Sequence, residues 1–448
     1  MRAAFVVGSA RRSAGALLGT VLAMVAGCKK FTGPYMCADG YASCVNPGQN
    51  ACETDTTTDG LNCGDCGMVC AVGAPCLGSS CGPAAVRIAQ SGSSALVRTN
   101  ASAVVWSGSN LSATIYSLPL AAAAGATPAA LVMDGLSLGE GHTPFAVDDA
   151  SLYYLASISG TSGGCPSGGC ANLVQVSLAN GARTTLLPWA ALSALLTDAG
   201  IPAGNAGGNF RSALAVNASH VFLLFSLQSS NVISYAVAAA EIGVAAQNGE
   251  LLTKTTSTNG FSSSSELVAN STSVVFETWD NNNSYLRVVR IADKQMSTLS
   301  SNGGPFGGGI GPLAADESSV YTISSGCPCN NDDNRPYNGP PPGAVTRIPF
   351  DGSAPQRLAT FWGSTGGIDI NSTHVYWSTD TTAWKVPLAG GTPVAVAGNL
   401  SNGVAAYQCM SGCNGGSSQS GPTSIAVASS ALYVAATGTE QSILKVAR

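Results

Sequence analysis

The side chains able to do covalent or metal chemistry are unevenly spread in this 448-residue chain, which has 15 cysteines but only three histidines. The histidines are His142, His220 and His374. A hydrolytic site of the common kinds needs a histidine near a nucleophile or a metal, yet no G-x-S-x-G or H-E-x-x-H pattern occurs. His220 and His374 sit in matching contexts, "NASHVF" and "NSTHVY". Five further copies of that context carry Ala103, Ser151, Ser273, Ser319 and Ala431 at the same place. A position that accepts alanine does no acid–base work, which leaves His142 as the histidine of interest. "CPCNNDDNRPYNGPPPG" (327–343) offers Asp332, Asp333 and several asparagine oxygens, the donor type calcium takes. Their spacing matches no named calcium loop, so a solvated polar loop is the reading taken, and no cofactor is assigned. A site built from scattered carboxylates stays open, because such pairs leave no local signature.

The cysteines fall into three groups. Cys28 stands alone. Eight form one block: Cys37, Cys44, Cys52, Cys63, Cys66, Cys70, Cys76 and Cys81. Six make close pairs: Cys165 with Cys170, Cys327 with Cys329, and Cys409 with Cys413. Without Cys28 the number is even, as disulfides require. Residues 37–82 hold almost no apolar core material, and so small a segment needs cross-links to keep a shape. Eight cysteines allow 105 pairings, and spacing does not choose among them. Cys63-x-x-Cys66 also has the spacing of a zinc knuckle, a reading that requires a reducing compartment.

The compartment follows from the N-terminus. Residues 1–27 carry Arg2, Arg11 and Arg12, no acid, and an apolar run from Ala14 to Ala26. That is the pattern of a secretory signal. "VAGC" (Val25–Cys28) resembles the bacterial lipobox, which implies cleavage before Cys28 and a lipid on its thiol. The twin-arginine pair 11–12 lacks the larger apolar residues that route expects. Residues 28–36 then form a lipidated N-terminus and short linker, and Lys29 leans the sorting toward the outer membrane or cell surface. Removing the three arginines leaves 16 basic and 24 acidic side chains, formally −8, which argues against nucleic acid as a partner. The later apolar stretch 117–133 is broken by Pro119, Gly125 and Pro128, so the lipid is the expected membrane attachment. The block "NCGDCGMVCAVGAPCLGSSC" resembles a Cys-rich repeat of myxobacterial-type surface lipoproteins, which implies a stalk or spacer.

The rest of the chain must supply a scaffold, and it repeats. "IDINSTHVYW" (368–377) has six relatives, anchored by a turn residue at Asn100, Asp148, Asn217, Asn270, Asp316 and Ala428, with Asn371 its own. The spacings are 48, 69, 53, 46, 55 and 57 residues. Each unit continues with a third strand, such as "YLRVVRI" (285–291) or "AVTRIPF" (344–350), a tight turn, and a fourth strand such as "QRLATF" (356–361). Four alternating strands per unit, seven times, predict an all-β, seven-bladed β-propeller over 84–448. The seventh unit ends after its third strand, and "VRIAQ" (86–90) is the strand available to complete it. "VYW" and "KVPLAGGTPVAVA" resemble the YWTD/NHL-like propellers, over more than four-fifths of the chain.

In a propeller, turns one-to-two and three-to-four share one face, while turns two-to-three and the blade links share the other. Here the first set is short. The extra length falls at 156–172, 188–213, 323–343 and 399–424, together with all three close cysteine pairs. Binding loops on a rigid scaffold concentrate in this way. The candidates on the loop-rich face are His142, Arg335, Tyr337 and Tyr407. The expected role is binding of a protein or glycan there. The alternative is a propeller-type hydrolase or lyase with a metal-carboxylate centre.

Overall fold

In the computed structural model, each of the seven predicted units is a four-stranded antiparallel sheet, with its strands in chain order in blades 1 to 6. The residues described are 41–42, 44, 54–64, 66–71, 74–77, 80–82, 85–90, 96–108, 114–123, 125–135, 144–158, 170–201, 210–229, 232–258, 266–280, 283–301, 311–324, 343–361, 365–379, 382–398, 400, 424–436 and 442–447. Blade 4 is typical, with strands Leu267–Ala269, Ser273–Asp280, Asn283–Arg290 and Met296–Ser301. Asp280 and Asn283 form the end pair of its second and third strands. The innermost strands of successive blades adjoin one another around a complete circle, blade 7 meeting blade 1.

Ring closure occurs as the sequence implies. Blade 7 consists of Ser424–Val427, Ala431–Ala436 and Ser442–Ala447, and its fourth strand is Val86–Gln90, which precedes blade 1 in the chain. Ser442 pairs with Gln90 and Lys445 with Val86. Closure leaves no blade with an unpaired third strand, so the edge that would template aggregation is covered. All seven blades shift register between strands three and four, for example at Leu286/Arg287 and Ile443/Leu444. A bulge repeated at one radius adds local twist as the blade widens outward.

The anchor residue explains why every first hairpin looks alike. At all seven anchors the backbone N–H donates to the carbonyl three residues on, from Asn100 to Ala103 through to Ala428 to Ala431. In six of them a side-chain Oδ1 also accepts from the N–H groups two and three residues on, as Asn270 does from Thr272 and Ser273. The side chain thus stands in for a missing backbone partner, which is why Asn and Asp favour this position. The spare atom then divides the anchors. Asn100, Asn217 and Asn270 have an amide, and each donates to the anchor carbonyl of the next blade, at 2.9, 2.9 and 3.1 Å. Asp148 and Asp316 have no donor, and instead accept from Tyr153 and Tyr321 of their own blade at 2.6 and 2.8 Å. Burial, then those bonds, hold both phenols above their ordinary range. Burial opposes the Asp316 anion, but the bonds from Ser318, Tyr321 and Ser319 outweigh it and keep its carboxyl low.

Blade faces alternate along each strand, so every seam between blades has its own apolar cluster. Trp377 packs into the blade 5–6 seam with Ile323 and Leu358, while its neighbour Tyr376 packs into the blade 6–7 seam with Leu432 and Val434. The largest cluster lies between blades 2 and 3. A helix enlarges it: α1 (Trp189–Asp198) falls inside the 188–213 link and buries Ala191, Leu192, Leu195 and Leu196. Asn172 Oδ1 accepts from the Trp189 N–H at 2.8 Å, capping its first turn. By loop length alone this link belongs to the surface elaboration; its described part is core. The stretch "PWAALSALLTDAG" holds the signal, with leucines at helical spacing and a glycine after the last turn.

The Cys-rich module is tied by Cys44–Cys66, Cys63–Cys76 and Cys70–Cys81. Cys63, Cys70 and Cys76 are buried with Ala74 at its centre. The module rests against blade 6. A Cβ on Gly398 would stand 2.6 Å from the Ala74 carbonyl oxygen, so only glycine permits this approach.

Candidate functional site

The inner strands surround a central cavity of about 230 Å³. Small apolar residues dominate its wall, among them Ala146, Ala215, Val268 and Ala314. Three charged side chains interrupt it: Arg98, Glu266 and Asp369. They stand in two repeat columns that are otherwise uncharged. Two residues before the anchor, the seven blades carry Arg98, Ala146, Ala215, Val268, Ala314, Asp369 and Ala426. Four before it they carry Leu96, Pro144, Ala213, Glu266, Pro312, Gly367 and Ser424.

All three charges are engaged with backbone. Arg98 donates to the Val97 carbonyl at 3.0 Å. Asp369 accepts from Val427 N–H of the next blade at 2.7 Å and from Ile370 N–H at 2.8 Å. Burial raises its carboxyl above the ordinary range, opposed by these two bonds and by the Arg98 charge. Glu266 accepts from the Leu313 N–H of blade 5 at 2.6 Å. Asp369 and Glu266 therefore join neighbouring inner strands where backbone alone would leave donors unmet.

A fourth ionisable side chain lies just behind the wall. Leu267 pairs with Phe276, which places Glu266 opposite Glu277 on adjacent strands. Val275 and Leu286 of the same face pack against blade 5, so Glu277 faces blade 5 as well. Glu277 is 1% exposed. Burial pushes its carboxyl up to about 8, the Glu266 charge adds to this, and the side chains of Trp279 and Ser284 oppose it. Its repeat column, seven after the anchor, is otherwise Ser107, Leu155, Leu224, Ile323, Ser378 and Ala435. A protonated acid beside an ionised one is the arrangement from which acid–base chemistry can be drawn. First strands start at the loop-rich face and second strands end there, so the pair marks that mouth of the channel. Neither residue stands out in the linear sequence, though an acid in an apolar column becomes visible once the repeats are aligned.

The other candidates separate by location. His220 and His374 lie in the first-hairpin turns of the plain face, each with Nδ1 2.8 Å from the hydroxyl of the residue before it, Ser219 or Thr373. His142, Asp332, Asp333, Arg335, Tyr337 and Tyr407 lie outside the described residues, as do Cys28, Cys37, Cys52, Cys165, Cys327, Cys329, Cys409 and Cys413. Cys170 is disulfide-bonded. The zinc-knuckle reading of Cys63 and Cys66 fails, because their thiols are bonded to Cys76 and Cys44. Cys63, Cys70 and Cys81 sulfurs lie within 4.8 Å of one another, but as parts of two adjacent disulfides rather than as free thiolates. Among the described residues no helix is long and apolar enough to cross a membrane.

A second concavity of about 680 Å³ opens on the plain face between blades 4 and 5. Arg290, Gln295, Glu317, Phe350 and Asp351 line it. The Ser271 N–H and hydroxyl both donate to the Glu317 carboxylate across this gap.

Neither a protein-family profile nor a curated protein matches the sequence. Solved structures are similar in shape. The Pan2 WD40 domain of Neurospora crassa matches at TM-score 0.44 and 10% identity, over 80% of this chain and 89% of that one. An oligogalacturonate lyase in complex with manganese matches at TM-score 0.44 and 10% identity, over 81% and 98%. The β-propeller domain of the Trilobed protease from Pyrococcus furiosus, described as having an open velcro topology, matches at 0.44 and 9%, over 79% and 95%. Likeness this distant bears on neither ligand nor chemistry; the seven-bladed ring stands on its own strand pairing.

Proposed function

We propose that the chain is an exported, lipid-anchored surface protein whose propeller binds a protein or glycan through its loop-rich face. The observation that carries this reading is the contrast between the two faces. On the plain face the same turn recurs seven times with the same backbone bond, which leaves little room for specificity. The strand ends that carry the extra chain length are on the opposite side, where Glu266 marks the channel mouth. A closed scaffold that holds the ends of its long loops limits the entropy lost on binding.

The test uses the chain from Lys29 onward. Glycan arrays and immobilised envelope proteins are probed with it and with variants in which 156–172, 323–343 or 399–424 is replaced by a short turn. Binding lost in one or more loop variants supports the reading; equal binding by all of them overturns it. Lipid attachment is tested separately, since Cys28→Ser should move the full-length protein from the membrane to the soluble fraction.

The enzymatic alternative rests on one observation, the Glu266–Glu277 pair at the channel mouth. It predicts activity on an acidic or neutral glycan that Glu277→Gln abolishes.

A further inference from the structure

The seven seams are not equally built. Among the described residues the blade 4–5 seam has the smallest apolar cluster, with six buried members: Val275, Leu286, Val288, Leu313, Val320 and Ile348. The blade 2–3 seam has twenty. The 4–5 seam is also thin at both ends. Its plain-face end is the 680 Å³ concavity. At its loop-rich end stand Glu266 and Glu277, where other seams carry small or apolar residues.

We propose that the blade 4–5 seam is the opening seam of the ring, latched at the channel mouth by a carboxyl pair that carries a single negative charge, and that losing the remaining proton to solvent releases the latch. Glu266, as the anion, holds the Leu313 N–H and so fixes the inner strand of blade 5 (Leu313–Ala315) to blade 4. Glu277 stands beside it as the neutral acid. Ionising Glu277 places a second charge in a buried seam next to the first. On its own sheet the residues facing the seam include Glu266, Trp279, Ser284 and Leu286. By strand alternation, blade 5 presents Leu313, Val320, Thr322, Ser324, Ala344, Thr346 and Ile348. Among the described residues, Glu266 is thus the ionisable side chain that faces Glu277, since Arg287 donates to Thr278 on the other face. The 302–310 link adds none, and the 325–342 loop, with Asp332, Asp333 and Arg335, lies outside the described residues.

The direction of Glu277, up to about 8 through burial first and Glu266 second, sets the range in which release occurs. Two like charges at close range in a low-dielectric seam repel strongly, and the six-residue cluster has little apolar area with which to resist. Opening would widen the mouth next to Pro312 and Leu313, both on the channel wall. This inference does not depend on which ligand the loop-rich face takes.

Amide hydrogen exchange of the chain from Lys29 onward, at pH 6.5 to 9 and corrected for intrinsic rates, tests it. Peptides covering 267–280 and 313–324 should lose protection tenfold or more across that range, while peptides from the blade 2–3 seam, 186–196 and 221–227, stay protected. Glu277→Gln should make the 4–5 peptides insensitive to pH. Glu266→Gln should move the midpoint to lower pH, because the neighbouring charge that raises Glu277 is gone; this variant decides the matter if Glu277→Gln does not fold. Parallel loss in both seams, an unchanged pH response in Glu277→Gln, or an unmoved midpoint in Glu266→Gln would each overturn the proposal.

Discussion

The blade 2–3 and blade 4–5 seams solve the same packing problem with different materials. Between blades 2 and 3 the wedge that opens with radius is filled by α1, whose Leu195 also meets the position of Gly249. Phe225, Leu223 and Leu155 continue the packing inward. Between blades 4 and 5 no helix intervenes among the described residues, and polar groups take both ends. One seam is held by area removed from water, the other by a few directed bonds and one proton. The first is insensitive to conditions; the second is conditional. A ring with one conditional seam can stay closed at its blade 7 junction and still change shape at its mouth.

The contrast can be broken most directly in the large seam. Phe225→Ala should cost about 3–5 kcal/mol, the loss of a buried aromatic plus its cavity. Denaturant unfolding followed by tryptophan fluorescence measures it, and a cost below about 1 kcal/mol would mean that this seam is no stronger than its partner.

The next effect is smaller and opposite in sign. Glu277 is an acid raised from 4.5 to about 8 on folding. The folded state therefore binds the proton more tightly than the unfolded chain. The contribution of Glu277 to stability is full below about pH 4.5, falls as pH rises from 4.5 to 8, and is flat above. The whole fall is at most about 5 kcal/mol, at about 1.4 kcal/mol for each tenfold change in proton affinity. Glu277→Gln should raise stability by about 2–3 kcal/mol at pH 9, with little change near pH 4.5. Thermal melts across pH read this, and a variant whose melting curve tracks the parent at every pH would remove the conditional seam from the comparison.

A third change asks whether the module supports the ring. Gly398→Val drives a side chain into the Ala74 carbonyl and Pro75. It should release the module at a cost of about 1–3 kcal/mol, seen as new protease sensitivity between residues 64 and 82 with the blades intact.

The smallest change sharpens the plain face. Tyr433 Oη is buried and has no hydrogen-bond partner among the described residues, because its anchor is Ala428 where Tyr153 and Tyr321 have Asp148 and Asp316. Ala428→Asp should return that acceptor and stabilise the chain by about 1 kcal/mol. No gain in melting temperature would show that the blade 7 phenol is already satisfied by water.

Much of this architecture is legible in the sequence because the repeat is written in local chemistry. The anchor Asn or Asp fixes a turn through its own side chain, so each hairpin can be located without tertiary information. The closing strand Val86–Gln90 follows from counting strands. Helix α1 does not follow from that count, since its leucines repeat at helical spacing in a chain dominated by strand alternation. Glu266 and Glu277 escape for another reason: two acids eleven residues apart say nothing until strand register sets them opposite one another. Of the site residues read from sequence, only seven of the cysteines fall among those described.

The Val86–Gln90 strand has a further consequence, for the order of assembly. It is made before every blade, yet its partner Ser442–Ala447 follows some 350 residues later. During synthesis it must wait as an open edge while those residues emerge. Closing an unstructured loop of that length would cost about 5 kcal/mol of chain entropy. Blades that stack in turn reduce that cost step by step, so closure becomes favourable only once the ring is nearly complete. The disulfide-tied module next to the strand leaves it little freedom to wander meanwhile. A chain cut short before Ser442 should therefore remain an open array, prone to pair with its own kind.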